Sequence, residues 1–130
     1  MILDASALVA IILGESDAER LLGALADAPA IAISAATLIE AGIVLSARLQ
    51  EDARGRIARV MQAYGIAVLP LAEEHYEVAL SAWRRFGKGR HAAALNFGDC
   101  LAYATATLAR RPLLCTGDDF ARTDVALVRW

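Results

Sequence analysis

Four apolar stretches of this chain carry carboxylates and no cation. Between Met1 and Gly14 the only charged residue is Asp4, and between Ala28 and Ala47 the only one is Glu40. Between His91 and Ala109, the histidine aside, it is Asp99; between Pro112 and Ala121 there are only Asp118 and Asp119. An ionised carboxylate buried without a partner costs several kcal/mol or takes up a proton. A fold that buries these segments must therefore steer each acid to the surface or gather the acids around a shared counter-charge. Glu40 is the hardest to steer outward. Its neighbours one helical turn away are Ala36, Thr37, Ile43 and Val44, not the polar company of a solvated face. The alternative is a glutamate at the edge of a buried face with its head in water.

The periodicity predicts the frame that holds these acids. Met1–Leu3 reads as a buried strand ending at Asp4, followed by helices over Ala5–Leu13 and Glu15–Ala26. A second strand covers Ala30–Ile33, and Ser34 is placed to cap a helix running to Leu49. Glu51–Tyr64 reads as a helix ended by Gly65, and Ile66–Leu69 as a third strand closed by Pro70. Tyr76, Ala79, Leu80, Trp83 and Phe86 recur at helical spacing within Glu73–Phe86. Gly87–Asn96 reads as a loop, Gly98–Ala109 as a helix, Leu113–Thr116 as a fourth strand and Ala126–Arg129 as a fifth. Short apolar strands alternating with helices argue for one α/β domain over residues 1–130, with a mostly parallel sheet of four or five strands. Ligands of such sheets bind beyond the carboxyl ends of the strands, where Asp4 and Asp118 fall.

Taken singly, each acid has a second explanation. Asp4 follows a strand and precedes a helix, which suits an N-cap as well as a ligand. Asp99 is an acid in a first helical turn. Asp118 and Asp119 follow Gly117 and suit a turn, and spacing does not say which of the two points inward. Ser6 is placed to orient Asp4, Thr116 to support the site through its hydroxyl or simply to end a strand, and Asn96 to act as a turn residue or an outer donor. Taken together, four acid-bearing apolar segments with no local Lys or Arg call for a divalent cation. An all-oxygen donor set points to Mg²⁺ or Mn²⁺ rather than zinc.

Composition narrows the remaining classes. The chain has 130 residues, 58% of them hydrophobic and 6% aromatic, enough aliphatic surface for a core. Ile2–Leu13 is too short to span a bilayer, carries Asp4, and lacks the basic start and cleavage site of a signal peptide, so a cytoplasmic protein is expected. Cys100 and Cys115 sit in apolar runs and read as buried free thiols. With two distant histidines, His75 and His91, a Ser/His/Asp triad has little to draw on. The net charge of −2 gives no overall attraction to nucleic acid. The cations are unevenly placed, however: Arg84-Arg85-Phe86-Gly87-Lys88-Gly89-Arg90-His91 holds four of them in eight residues. Arg85, Lys88 and Arg90 are candidates for phosphate contact, the alternative being a solvated helix end and loop.

Met1-Ile2-Leu3-Asp4-Ala5-Ser6-Ala7-Leu8 resembles the opening of PIN-domain nucleases, in particular VapC-type toxins of bacterial toxin–antitoxin pairs. Ile33-Ser34-Ala35-Ala36-Thr37-Leu38-Ile39-Glu40-Ala41 resembles the segment with the family's glutamate. Phe86-Gly87-Lys88-Gly89-Arg90-His91 and Leu95-Asn96-Phe97-Gly98-Asp99-Cys100 resemble the stretch with its third acid. Thr116-Gly117-Asp118-Asp119-Phe120, continuing to Thr123-Asp124, resembles the fourth motif. The resemblance implies a PIN-like three-layer α/β/α fold and Mg²⁺- or Mn²⁺-dependent endoribonuclease activity. It also implies inhibition by a cognate VapB-type antitoxin, and a homodimer. By position it assigns metal-binding and catalysis to Asp4, Glu40, Asp99 and Asp118, with Asp119 beside them. The expected chemistry is phosphodiester hydrolysis by metal-activated water, leaving a 5′-phosphate. Two other readings compete: a phosphatase with Asp4 as nucleophile, and a non-catalytic acidic module that binds Mg²⁺ or RNA.

Overall fold

The computed structural model describes residues 1–130. The elements in chain order are β1 (Ile2–Leu3), α1 (Ala5–Leu13), α2 (Ala18–Ala26), β2 (Ala32–Ser34), α3 (Ala35–Leu49) and α4 (Arg54–Tyr64). They continue with β3 (Ala67–Leu69), α5 (Glu73–Phe86), α6 (Phe97–Ala109) and β4 (Leu113–Leu114), then a 3₁₀ turn at Phe120–Arg122. The four strands form one parallel sheet in the order β3-β2-β1-β4.

Alternation along the strands divides the interior in two. Leu3, Ile31, Ile33 and Leu114 face a core roofed by α1 to α4, joined by Leu8, Leu21 and Leu45. Ile2, Leu113 and Cys115 face the opposite core under α5 and α6, with Phe86, Leu95, Tyr103 and Phe120. The result is the expected three-layer α/β/α arrangement. Cys100 and Cys115 are buried free thiols, as their apolar surroundings predicted. No helix is long and apolar enough to cross a membrane.

Element ends differ from the sequence reading where side chains capture backbone groups. Helix α4 starts at Arg54 rather than Glu51 because Ser46 Oγ accepts the Ala53 N–H and Asp52 Oδ1 accepts the Arg54 N–H, shaping a turn. Strand β4 stops at Leu114 rather than Thr116, whose N–H goes to the Ser6 hydroxyl instead of a ladder. Helix α2 starts at Ala18, and α6 at Phe97. Ala126–Arg129 makes no full strand; it touches the sheet through a single parallel bridge, Leu113 to Leu127.

The order of strands fixes the place for a ligand. From β1 the chain moves outward through β2 to β3, then returns to add β4 on the other side of β1. The switch point lies between β1 and β4, and crevices open at the carboxyl ends of such a pair. Asp4 follows β1, and Thr116 to Asp119 follow β4.

Candidate active site

Asp4 lies at the floor of that crevice, 4% exposed. It is the N-cap of α1: its Oδ2 accepts the Ser6 N–H at 3.0 Å and the Ser6 hydroxyl at 2.6 Å. The same Ser6 oxygen accepts the Thr116 N–H at 3.0 Å, so one hydroxyl joins the turn after β1 to the turn after β4. Capping and site-building are therefore one arrangement here. Thr116 takes part through its backbone N–H.

Glu40 is carried by α3, which starts at Ser34. The Ser34 hydroxyl accepts the Thr37 N–H at 3.0 Å, as its N-cap position predicted. Glu40 is half-buried, and its carboxylate lies against the backbone of Gly98 in the first turn of α6. A β-carbon at Gly98 would occupy the place of that carboxylate. The missing side chain thus lets α3 deliver Glu40 beside Asp99. In the sequence the only signal for this role of Gly98 is a small residue next to an isolated acid.

Asp99 is fixed by a reciprocal cap. The Asn96 side-chain carbonyl accepts the Asp99 N–H at 2.9 Å, and Asp99 Oδ2 accepts the Asn96 N–H at 2.8 Å. Asn96 is thus the residue that orients Asp99.

The electrostatics show that these acids share one space. Burial pushes the Asp4 carboxyl above its ordinary range, against the hydrogen bonds from Ser6 and the Ala5 backbone. Burial also raises Glu40, with the charges of Asp4 and Asp99 adding to it. Asp99 is raised first by burial; the Asn96 backbone opposes this, and the charges of Asp4 and Asp119 reinforce it. Cys115, on the same side of β4, is pushed to about 12 by burial and by Asp4, Asp99 and Asp119. Asp119 therefore acts on Asp99 and Cys115 electrostatically. Asp118 and Asp119 are both exposed in the turn after β4. None of the chain's four ion pairs involves Asp4, Glu40, Asp99, Asp118 or Asp119.

No three of the acidic, histidine or cysteine side chains already stand at mutual metal-coordinating distance. The donor set nonetheless fits a hard divalent cation. It is all oxygen, it carries excess negative charge, and no arginine or lysine neutralises it.

The basic segment divides in two. Arg85 is paired with Asp124 at 2.6 Å and lies over the Phe86 ring, so it is committed within the chain. Lys88 and Arg90 are exposed and belong to no ion pair; Arg90 stacks on Trp83 at 4.1 Å.

Known proteins share this fold. The PIN-domain family profile matches residues 1–126. Ribonuclease VapC of Mycolicibacterium smegmatis is 42% identical over 128 residues, covering 98% of this chain and 99% of that protein. Ribonuclease VapC36 of Mycobacterium tuberculosis is 46% identical over 126 residues, covering 96% and 91%. The crystal structure of Mycobacterium tuberculosis VapC20, a sarcin-ricin loop cleaving toxin, superposes with a TM-score of 0.80 at 18% identity over 98% of each chain. A chain of a toxin–antitoxin complex from Klebsiella pneumoniae gives a TM-score of 0.72 at 21% identity, covering 98% and 95%. With the family profile spanning nearly the whole sequence and these relatives aligned end to end, the chain belongs to the PIN-domain family, among the VapC ribonucleases.

Proposed function

We propose that this protein is a metal-dependent endoribonuclease, the toxin of a toxin–antitoxin pair, acting in the cytoplasm as a single domain. One observation carries the reading: Asp4 is buried without a cation, its charge bears on both Glu40 and Asp99 at the β1–β4 crevice, and none of the three enters an ion pair within the chain. Asp4 and Asp99 would hold a divalent cation directly. Glu40 and Asp119 would complete the shell, with Asp118 as the outer acid of the same turn. A bound Mg²⁺ or Mn²⁺ supplies Lewis acidity and a water acidic enough to attack a phosphodiester. The chain's own residues set the geometry. Ser6 holds Asp4, Asn96 holds Asp99, and Gly98 leaves room for Glu40.

The partner side of the proposal rests on the relatives. One structural neighbour is a toxin–antitoxin complex, and another is VapBC2 of Rickettsia felis bound to a promoter fragment. A cognate VapB-type antitoxin is the corresponding inhibitor here. A second copy of the chain is the proposed occupant of the apolar face. Every exposed large hydrophobic side chain except Val68 and Leu108 lines one of two grooves, of about 570 and 520 Å³. Both grooves are also lined by Phe97, which is 79% exposed. A projecting ring between two hollows is self-complementary, as a two-fold interface requires.

The test is incubation of the protein with total RNA in Mg²⁺, in Mn²⁺ and in EDTA, with the cut ends mapped. Cleavage that needs the metal and leaves 5′-phosphates is expected. Full activity in EDTA, or a phosphoryl group trapped on Asp4, defeats the scheme; the latter favours the phosphatase reading.

A further inference from the structure

An acid pocket repels a phosphodiester backbone, so a nuclease built on one needs cations nearby to hold its substrate. From Val78 to Gly98 the chain contains no acidic residue. Within that stretch the Gly87–Leu95 loop is wound rather than slack. A parallel bridge joins Gly87 to Leu95, the Lys88 N–H donates to the Leu95 carbonyl, and the Leu95 N–H donates to the Phe86 carbonyl. The Arg90 and His91 N–H groups both donate to the Gly87 carbonyl, and the Ala93 N–H donates to His91 Nδ1 at 3.1 Å. The His91 ring meets the Phe86 ring edge-on at 5.3 Å. Gly87 packs so tightly on Trp83 that a β-carbon there would run into both the carbonyl and the indole.

The loop is also rooted at two acid-bearing turns. Ala93 and Leu95 are fully buried in the core that holds Cys115 and Phe120, and Leu95 directly precedes Asn96, the cap of Asp99. On its other side, Arg122 Nη1 donates to the Ala92 carbonyl at 2.8 Å. Arg122 ends the 3₁₀ turn that follows Asp118 and Asp119. A stiff arm with Lys88 and Arg90 at its exposed tip is therefore tied to the Asp99 turn at one end and to the turn after β4 at its middle.

We propose that the Gly87–Leu95 loop grips the RNA phosphate backbone beside the acid pocket through Lys88 and Arg90, and that Arg122 is the positioning residue that sets the loop against the acid turn. This rests on the ribonuclease reading and adds the element that holds the substrate. An ordered arm loses less freedom on binding than a mobile one.

The test uses the full chain and a fluorescein-labelled mixed-sequence RNA hairpin, with anisotropy read in EDTA across a KCl series. Lys88→Ala and Arg90→Ala are each expected to weaken binding about fivefold or more and to lower the salt slope by about one. Arg122→Ala is expected to raise KM about fivefold with little change in kcat, because the loop must then be ordered on binding. Arg122→Gln keeps a donor for the Ala92 carbonyl without the charge and should restore KM. Wild-type affinity and salt slope in both tip variants overturn the grip, as does a wild-type chain that does not bind the hairpin. Equal damage from Arg122→Ala and Arg122→Gln overturns the positioning role in favour of direct charge. Failure of the wild-type chain to cleave any RNA in Mn²⁺, with hairpin binding intact, sinks the nuclease reading and leaves the grip standing.

Discussion

Asp4 and Asp124 are both held by a hydroxyl, yet they stand at opposite ends of the chain's electrostatics. Asp124 accepts from Tyr103 at 2.5 Å and pairs with Arg85 at 2.6 Å, and these contacts keep its carboxyl below the ordinary range. Asp4 has only the Ser6 hydroxyl and local backbone N–H groups against deep burial, and its carboxyl is pushed up. The other charges it meets are acids. The contrast separates two uses of a carboxylate. One that serves the fold finds its cation within the fold. Three that lack any cation and crowd one crevice favour the unbound protein poorly, and are suited to a counter-charge from outside.

That contrast can be broken most directly at the acids themselves. Asp4→Asn and Asp99→Asn should each lower RNA cleavage by more than about a hundredfold, beyond the usual effect of an outer-shell change. Asp124→Asn should leave the rate within about twofold. Similar losses in all three, measured with Mn²⁺ at saturating RNA, would erase the distinction.

A smaller but sharper effect is expected at Gly98. Gly98→Ala needs no unusual backbone angle, and its new methyl displaces only the end of the Glu40 side chain. Cleavage should fall about tenfold, the scale of a misplaced supporting group, with the melting temperature nearly unchanged. Unaltered activity would mean that the place of Glu40 beside Asp99 is immaterial.

The pH dependence of stability should differ in sign between the two settings. Asp4, Glu40 and Asp99 bind protons more tightly in the folded chain than their ordinary values of 3.8, 4.5 and 3.8. Their contribution is fully present below those values and is lost as pH rises through the raised ones. Asp124 is lowered, so its contribution is present above the ordinary range and lost as pH falls through the lowered value. In EDTA, Asp4→Asn should therefore raise the melting temperature at neutral pH by about 4 °C, with the gain shrinking toward pH 4. Mn²⁺ should stabilise the wild-type chain and not this variant. Thermal melts across pH, with and without Mn²⁺, check both. The smallest effect is expected for Tyr103→Phe, about 1 kcal/mol of stability from one hydrogen bond and no change in cleavage.

Much of this was legible in the residues. Isolation of Asp4, Glu40 and Asp99 among apolar neighbours anticipated a shared pocket, because solvation energy acts on composition before geometry is known. Strand alternation and helix caps such as Ser34 and Gly65 placed the frame. Features that depend on two distant segments were not legible. Asp118 and Asp119 are adjacent, so spacing does not separate them, and the influence of Asp119 on Asp99 depends on the path after β4. Arg85 looked free until Asp124, far along the chain, arrived beside it. Arg122 carried no signal at all, since its partner is a backbone carbonyl thirty residues earlier.

The Ser6 hydroxyl, giving its proton to Asp4 and receiving one from Thr116, has both of its roles taken. The Asp4 N–H to Leu114 carbonyl bond at 2.9 Å ends the β1–β4 ladder, and beyond it the two turns are joined by this one side-chain oxygen. A chain with alanine there would retain every acid yet lose the side-chain rivet between the two turns, so the set of the pocket becomes a property of a residue that carries no charge.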